Sequence, residues 1–374
     1  MPRFLHTADW QIGRAYTTFD PDVAPLLAEA RLTAVQRLAA LATAHQVSAV
    51  LVAGDVWDAQ TVSDKTIRRL FQCMAGFGGP WILIAGNHDA ALAESVWGRA
   101  QRLGCIPANV HVLLEPKVQL FEAEGFAVLP APLTQRHTYH DLTAWMDLAP
   151  TPAGLLRIGL AHGSVQGLLH EGIDSANPIA ADRCETAHLD WLALGDWHGV
   201  KQVTPRMAYS GTPEPDRFPN NEPGYALLVD IAHPGAVPQV QRLPVAQFHW
   251  QRIAVQLQLA SDVDALMAQL DALQPHAVGQ LQGRGALDWG QHQRLQHAVA
   301  QADARVRCLQ VEMQDLRWSP TDEDLAALHA DGYVGELLQE LRAESAAGNP
   351  QAQAALYVLA SSLYHQQQES AVCP

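Results

Sequence analysis

Trp81-Ile82-Leu83-Ile84-Ala85-Gly86-Asn87-His88-Asp89 is the stretch on which the fold turns. Five apolar residues ending in Gly suit a strand covered on both faces, and in open α/β sheets ligand-binding groups gather beyond the carboxyl ends of strands. Asn87, His88 and Asp89 at such an end can respectively ligate a cation, move a proton and orient the imidazole. Working outward, the same pattern recurs. Arg3 to Ala8 is a β-prone run that delivers Asp9 and Gln11. From about Pro25 to His45, Leu26, Leu27, Ala30, Ala34, Leu38 and Leu41 recur at helical spacing. Val47 to Ala53 is a second strand, ending in Gly54-Asp55-Val56-Trp57-Asp58, and Ser63 N-caps a helix running to Cys73. This β-α-β-α-β alternation predicts a layered α/β domain.

Toward the C-terminus, strands are expected at 110–114 and 125–129, with a helix through 142–146. A further strand at 156–161 ends in His162-Gly163, and another at 191–194 ends in Gly195-Asp196-Trp197-His198. A turn-rich Tyr209-Ser210-Gly211-Thr212-Pro213 precedes a strand at 225–231. Pro238 and Pro244 mark a boundary, so the first domain is read as 1–240. A small α/β domain follows at 246–318, with a helix at 262–273 capped by Ser261. A helical hairpin at 321–365 carries apolar stripes broken at Gly348-Asn349-Pro350.

The chain has 374 residues and a formal net charge of −15, which does not advertise nucleic-acid binding but leaves room for a local basic groove. Lysine is confined to Lys65, Lys117 and Lys201, so arginine supplies most cations for phosphate contacts. The five cysteines are scattered without C-x-x-C spacing, which excludes a disulfide framework and a cysteine zinc site from the reading. With no signal peptide or transmembrane run read from the sequence, a cytoplasmic location is expected.

Asp9 with Gln11, Asp55 with Asp58, Asn87 with His88 and Asp89, His162, and Asp196 with His198 all begin where an apolar run stops. They are expected to gather at the C-terminal edge of one sheet. That many oxygen and imidazole donors exceed the needs of one tetrahedral ion and point to two metals bridged by a carboxylate, Asp55 being the candidate. Two ions about 3.5 to 4 Å apart clamp a phosphate and activate water, so phosphoester hydrolysis is the chemistry that fits. His88 is then free to assist the leaving oxygen, with Asp89 holding its tautomer. His6 fits either a support behind the ligands or a core histidine. Asp58 is read as such a support, and Arg14 as either a phosphate contact or a surface cation.

These blocks, Asp9-x-Gln11, Gly54-Asp55-x-x-Asp58, Gly86-Asn87-His88-Asp89, His162-Gly163 and Gly195-Asp196-x-His198, resemble those of the calcineurin-like metallophosphoesterases. His6-Thr7-Ala8-Asp9-Trp10-Gln11-Ile12-Gly13 and Tyr209-Ser210-Gly211-Thr212-Pro213 resemble the SbcD and Mre-type DNA repair nucleases among them. The resemblance implies an α/β fold, a layered β-sandwich flanked by helices with a capping domain and a C-terminal helical segment. It implies DNA exonuclease or endonuclease activity and manganese as the ion, with iron, magnesium or zinc as alternatives. It further implies a homodimer and an SMC-like, SbcC-type ATPase partner. By the same resemblance Asp9, Asp55, His198 and Gln11 fall to one ion and Asp55, Asn87, His162 and Asp196 to the other. Two positions depart from the family pattern, which usually has His at Gln11 and at Asp196. A small-molecule or cyclic-nucleotide phosphodiesterase and a non-catalytic scaffold stay open as alternatives.

Overall fold

The computed structural model describes residues 2–167, 176–218, 221–318 and 332–372 and divides into two units, 1–248 and 249–374. In the first, β1 (Arg3–Thr7), α1 (Ala24–Ala44), β2 (Ala49–Val52), α2 (Asp64–Cys73) and β3 (Trp81–Ile84) alternate as the sequence predicts, and α3 (Val96–Arg102), not read from the sequence, precedes β4 (Val110–Leu113). Ser63 caps α2 through a bond from the Thr66 N–H. Then come β5 (Gln119–Phe121), β6 (Phe126–Ala131), β7 (Leu156–His162), β8 (Ser164–Val165), β9 (Pro178–Ile179), α4 (Arg183–Thr186) and β10 (Trp191–Gly195). The unit closes with β11 (Lys201–Thr204), β12 (Met207–Tyr209), β13 (Tyr225–Asp230) and β14 (Gln239–Pro244). Where a helix is expected through 142–146, Ala144–Leu148 forms a 3-10 turn.

Two six-stranded sheets result, ordered β14-β13-β1-β2-β3-β4 and β11-β12-β10-β7-β6-β5. Strands β1 to β4 run parallel in the first, as do β6, β7, β10 and β12 in the second. The period of two along a strand assigns alternate residues to different cores. Phe4, Leu51, Ile82 and Ile84 pack with Phe126, Val128, Ile158, Leu160 and Ala193 of the opposite sheet. Leu5, Val50, Val52 and Leu83 face the other way, onto Val35 and Leu38 of α1. On the outer face of the second sheet, Leu192, Leu194 and Met207 pack with Met146 and Leu189. The central strands β2 and β3 are therefore apolar throughout, and each fully buried Leu or Ile contributes roughly 1.5–3 kcal/mol.

The layered sandwich corrects one expectation, because the site loops follow strands of two sheets. Asp9, Asp55 and Asn87 follow β1, β2 and β3, whereas His162 ends β7 and Asp196 follows β10. The segment read as a boundary is β14, paired along its length with β13. Pro238 lies just before it, and Pro244 is tolerated because β14 is an edge strand and the proline takes its last position.

The second unit holds β15 (His249–Leu257), α5 (Ala260–Asp271), β16 (Ala277–Leu287), α6 (Trp289–Arg305) and β17 (Cys308–Trp318), the strands forming one parallel sheet. Leu257, Leu266, Leu281 and Leu295 lie in its core. Ser261 sits inside α5 and does not cap it. The Asp262 carboxylate instead reaches back to the N–H groups of Gln258 and Leu259, both at 2.9 Å. Helices α7 (Tyr333–Ala346) and α8 (Pro350–Val372) form the expected hairpin, with Leu338, Leu356 and Ala360 buried beside Trp289. The start of the hairpin as read, residues 321–331, lies outside the described residues. Among the described residues no helix is long and apolar enough to cross a membrane.

Candidate metal centre

Four of the loop residues that the sequence singles out hold left-handed backbone without being glycine: Asp9 at φ 54°, Gln11 at 50°, Asp55 at 52° and Asp196 at 102°. Such conformations are costly for residues with a Cβ and concentrate where side chains must be aimed. Close packing of the loops adds a second constraint. A Cβ on Gly86 would meet Asp55 Oδ1 at 2.3 Å, so only glycine lets the loop after β3 lie against that carboxylate.

Asp9, Asp55 and His162 each offer a ligand atom within 4.8 Å of the others, all three residues buried, and this trio could hold a metal ion. His162 Nδ1 lies 2.8 Å from the Ala53 carbonyl, to which it donates, leaving Nε2 facing the cluster. Around that Nε2 stand Asn87 Oδ1 at 3.1 Å, Asp55 Oδ1 at 3.6 Å and Asp196 Oδ1 at 3.7 Å. Acceptors therefore converge on one point. A neutral imidazole would set its lone pair against them, and only a proton or a cation there reconciles the set. Burial alone would lower the His162 pKa, but Asp55, Asp9 and Asp196 outweigh it and hold the imidazolium up to about 9. Burial raises Asp9 to about 6 and raises Asp196 as well, with nearby histidines opposing in both cases. Carboxylates crowded and desolvated in this way fit a divalent cation.

Gln11 is fully buried and donates Nε2 to Asp55 Oδ2 at 2.7 Å, while its Oε1 has no hydrogen-bond partner among the described residues. A buried amide oxygen without a partner beside a carboxylate suits a weak neutral ligand. Asp55 also accepts the His88 N–H at 2.9 Å through Oδ1, so it sits between the first and third loops. The two Asp9 oxygens accept the Asp196 N–H at 3.1 and 3.3 Å, which ties the two sheets together at the site.

His88 Nδ1 lies 2.8 Å from the carbonyl of Asp58, and its Nε2 is 4.0 Å from Asp55 Oδ2. This corrects the role read for Asp89. That side chain is fully buried and accepts from the N–H groups of Val56 at 2.9 Å, Trp57 at 3.1 Å and Gly86 at 2.6 Å. Asp89 clamps the second loop to the third, and the Asp58 backbone fixes the His88 tautomer. The error has a simple cause: adjacent residues in an irregular turn point apart. Burial and then Asp55 push Asp89 up to about 7 against the pull of its donors.

His198 Nδ1 lies 3.2 Å from Asp216 Oδ1 and 2.9 Å from Arg217 Nη2. One nitrogen cannot both donate and accept, and donation to the buried carboxylate leaves Nε2, 3.5 Å from Arg217 Nη2, with a lone pair for a ligand role. Burial works against Asp216 ionisation, but the His198 bond and the arginines around it hold its pKa well below the usual range. Arg14 pairs with Asp58 at 3.2 Å and Asp216 at 3.5 Å. His6 is a core histidine. It bonds the Leu194 carbonyl at 3.1 Å, edge-on to Trp191, and burial lowers its pKa to about 3. It joins the sheets and does not back a ligand directly.

The sequence reading missed Arg31 and the role of Asp216. Arg31 occupies the apolar stripe of α1, four residues after Leu27 and four before Val35, and is 1% exposed. It donates to the carbonyls of Trp10 (2.7 Å), Asp9 (3.4 Å), Glu214 (2.9 Å) and Pro215 (3.3 Å), to Tyr16 Oη (3.0 Å) and to Thr212 Oγ1 (3.1 Å). A cation in the middle of an apolar stripe was the available signal. Asp216 carried none, since its partner lies 18 residues away in a different loop.

The family model for calcineurin-like phosphoesterases matches residues 2–201. A stretch of 94 residues is 38% identical to the D component of the nuclease SbcCD from Rhodobacter capsulatus, covering 24% of this chain and 22% of that protein. The crystal structure of TT1561 of Thermus thermophilus aligns over 65% of this chain and 99% of that one, with a TM-score of 0.40 and 12% identity.

Proposed function

The chain belongs to the calcineurin-like phosphoesterase family, and from that premise we propose that it hydrolyses phosphodiester bonds of DNA at a centre of two divalent metal ions. The observation that carries this reading is the convergence of Asn87, Asp55 and Asp196 oxygens on His162 Nε2, with Asp9 completing the cluster. Asp9, Asp55 and His198, joined by Gln11, would hold one ion. Asp55, Asn87, His162 and Asp196 would hold the other. Bound ions supply an activated water and offset the charge that develops on the phosphate. His88 has Nδ1 committed to the Asp58 carbonyl, is 31% exposed, and presents Nε2 to the site, where its protonated form can donate to the leaving oxygen. Support for DNA as the substrate comes from the stretch similar to a component of the nuclease SbcCD. That stretch spans under a quarter of the relative; from the resemblance of the sequence motifs we further propose a homodimeric nuclease subunit, manganese-dependent, cytoplasmic, and working with an SMC-like ATPase.

The test uses manganese-supplemented protein with labelled single- and double-stranded DNA, bis-p-nitrophenyl phosphate and cyclic nucleotides. DNA cleavage supports the reading, and hydrolysis of the small esters alone overturns the DNA part. No hydrolysis, with no metal found by elemental analysis, points to a scaffold. His88→Ala should lose at least about 100-fold in kcat while keeping its metal, in line with general-acid contributions. Loss of metal would overturn the role given to His88.

A further inference from the structure

We propose that Arg14 and Arg217 form a phosphate subsite beside the metal centre, one that binds the phosphate next to the scissile one in a polynucleotide. The proposal rests on the phosphodiesterase reading above and adds a specificity determinant to it. The two arginines come from loops about 200 positions apart in the chain, and one carboxylate holds both. Asp216 Oδ1 takes Arg217 Nε at 3.2 Å, and Oδ2 takes Arg217 Nη2 at 3.3 Å, a two-pronged pairing that fixes the plane of the guanidinium. Arg14 Nη1 approaches the same Oδ2 at 3.5 Å. The Asp216 side chain is 2% exposed, whereas Arg14 is 30% and Arg217 60% exposed, so the anchor is buried and the cationic ends open to solvent.

Neutralising Asp216 does not by itself account for two arginines. Its charge is already met by the His198 bond and by the buried guanidinium of Arg31. Their donors are not exhausted either. A guanidinium carries five N–H groups. Among the described residues, the bonds of Arg217 run through Nε and Nη2 and those of Arg14 through Nη1, which leaves Arg217 Nη1 and Arg14 Nε and Nη2 to donate elsewhere. Position completes the argument. Arg217 lies 2.9 Å from His198 Nδ1, and Arg14 pairs with Asp58, whose carbonyl holds His88. Arg217 thus touches one imidazole of the proposed machinery, and Arg14 is one residue removed from the other. An anion approaching the carboxylates of Asp9, Asp55 and Asp196 needs cations at the mouth, and pre-oriented arginines suit a phosphate better than lysines do.

The experiment compares two substrates on the manganese-loaded protein: the p-nitrophenyl ester of thymidine monophosphate, and the same ester extended by one flanking nucleotide with its phosphate. In wild type the flanking phosphate should raise kcat/KM by about tenfold or more, the effect of one charge-assisted contact. The ratio of the two values should fall toward one in Arg217→Ala and in Arg14→Ala, and Arg217→Lys should keep part of it. Taking a ratio removes any common loss of activity through His198 or His88. Independently, the slope of log affinity against log salt for a fluorescent oligothymidylate should shrink by about 0.7 per lost contact. An unchanged ratio and slope in both alanine variants overturn the subsite. So does a wild type that hydrolyses both esters equally, and that result leaves the phosphodiesterase reading standing. A wild type inactive on both overturns the two together.

Discussion

Replacing Arg31 with methionine should destabilise the first unit by roughly 3–5 kcal/mol, the range for breaking a buried charged network on one side. The side chain is 1% exposed and donates to six acceptors drawn from three places: Trp10 and Asp9 in the first loop, Tyr16 beyond it, and Thr212, Glu214 and Pro215 after β12. Methionine fills similar space and offers no N–H. The Glu214 carbonyl keeps a bond from Thr212 Oγ1 at 2.8 Å, but the carbonyls of Trp10, Asp9 and Pro215 would lose their Arg31 donor. At about 1–3 kcal/mol for each abandoned buried acceptor the sum would exceed the stated range. Relaxation, and relief from burying a guanidinium, offset part of it. For a unit of this size the change corresponds to a fall in Tm of roughly 6–20 °C. Urea unfolding with chelator present gives the stability directly, and calorimetry gives the midpoint. Because Arg31 also holds the carbonyls of Asp9 and Trp10, metal retained through gel filtration should fall along with stability. A loss under about 1 kcal/mol would refute the view that this arginine ties α1 to the site loops.

Two further outcomes follow from the titrating groups. His6 is neutral when folded, with a pKa of about 3 against an ordinary 6.5. The unfolded chain therefore binds the extra proton, and stability present above pH 6.5 is lost as pH falls toward 3, by up to about 1.4 kcal/mol per unit. In urea unfolding, the stability difference between wild type and His6→Leu should shrink by roughly 2–3 kcal/mol between pH 6.5 and 4.5; a difference flat in pH would count against it. At His162 a cation must displace the proton held by its carboxylate neighbours, whose pKa is about 9 despite burial. Metal binding at pH 7.5 should release about one proton, and affinity should rise about tenfold per pH unit up to about 9 and then level. Titration calorimetry in buffers of different ionisation heat measures this, and proton uptake or no exchange would refute it.

The strands and the loop residues were legible because both leave local marks. A strand covered on both faces must be apolar at every position, so Trp81–Ile84 and Ala49–Val52 announce themselves, and the polar residue where each run stops is marked by contrast. The hairpin of α7 and α8 was readable from its period and its Gly348-Asn349-Pro350 break. Boundaries set by pairing were not. Pro238 and Pro244 read as a linker, yet β14 gains its ladder from β13, a partner the local pattern does not reveal.

By itself the sequence determined which residues are candidates for the chemistry: Asp9, Asp55, Asn87, His162 and Asp196 are singled out by type and by their place after apolar runs. Only the tertiary structure decided how they are divided and held. Stacking two sheets brings the ends of β7 and β10 against those of β1, β2 and β3, so that the Asp196 N–H reaches Asp9 across 187 residues. Asp89, beside His88 in the chain, turns instead to the second loop, while Asp58 and Asp216 supply the imidazole partners. The physical reason is that hydrogen bonds and ion pairs depend on distance in space, and loop closure brings together groups whose separation along the chain leaves no periodic trace.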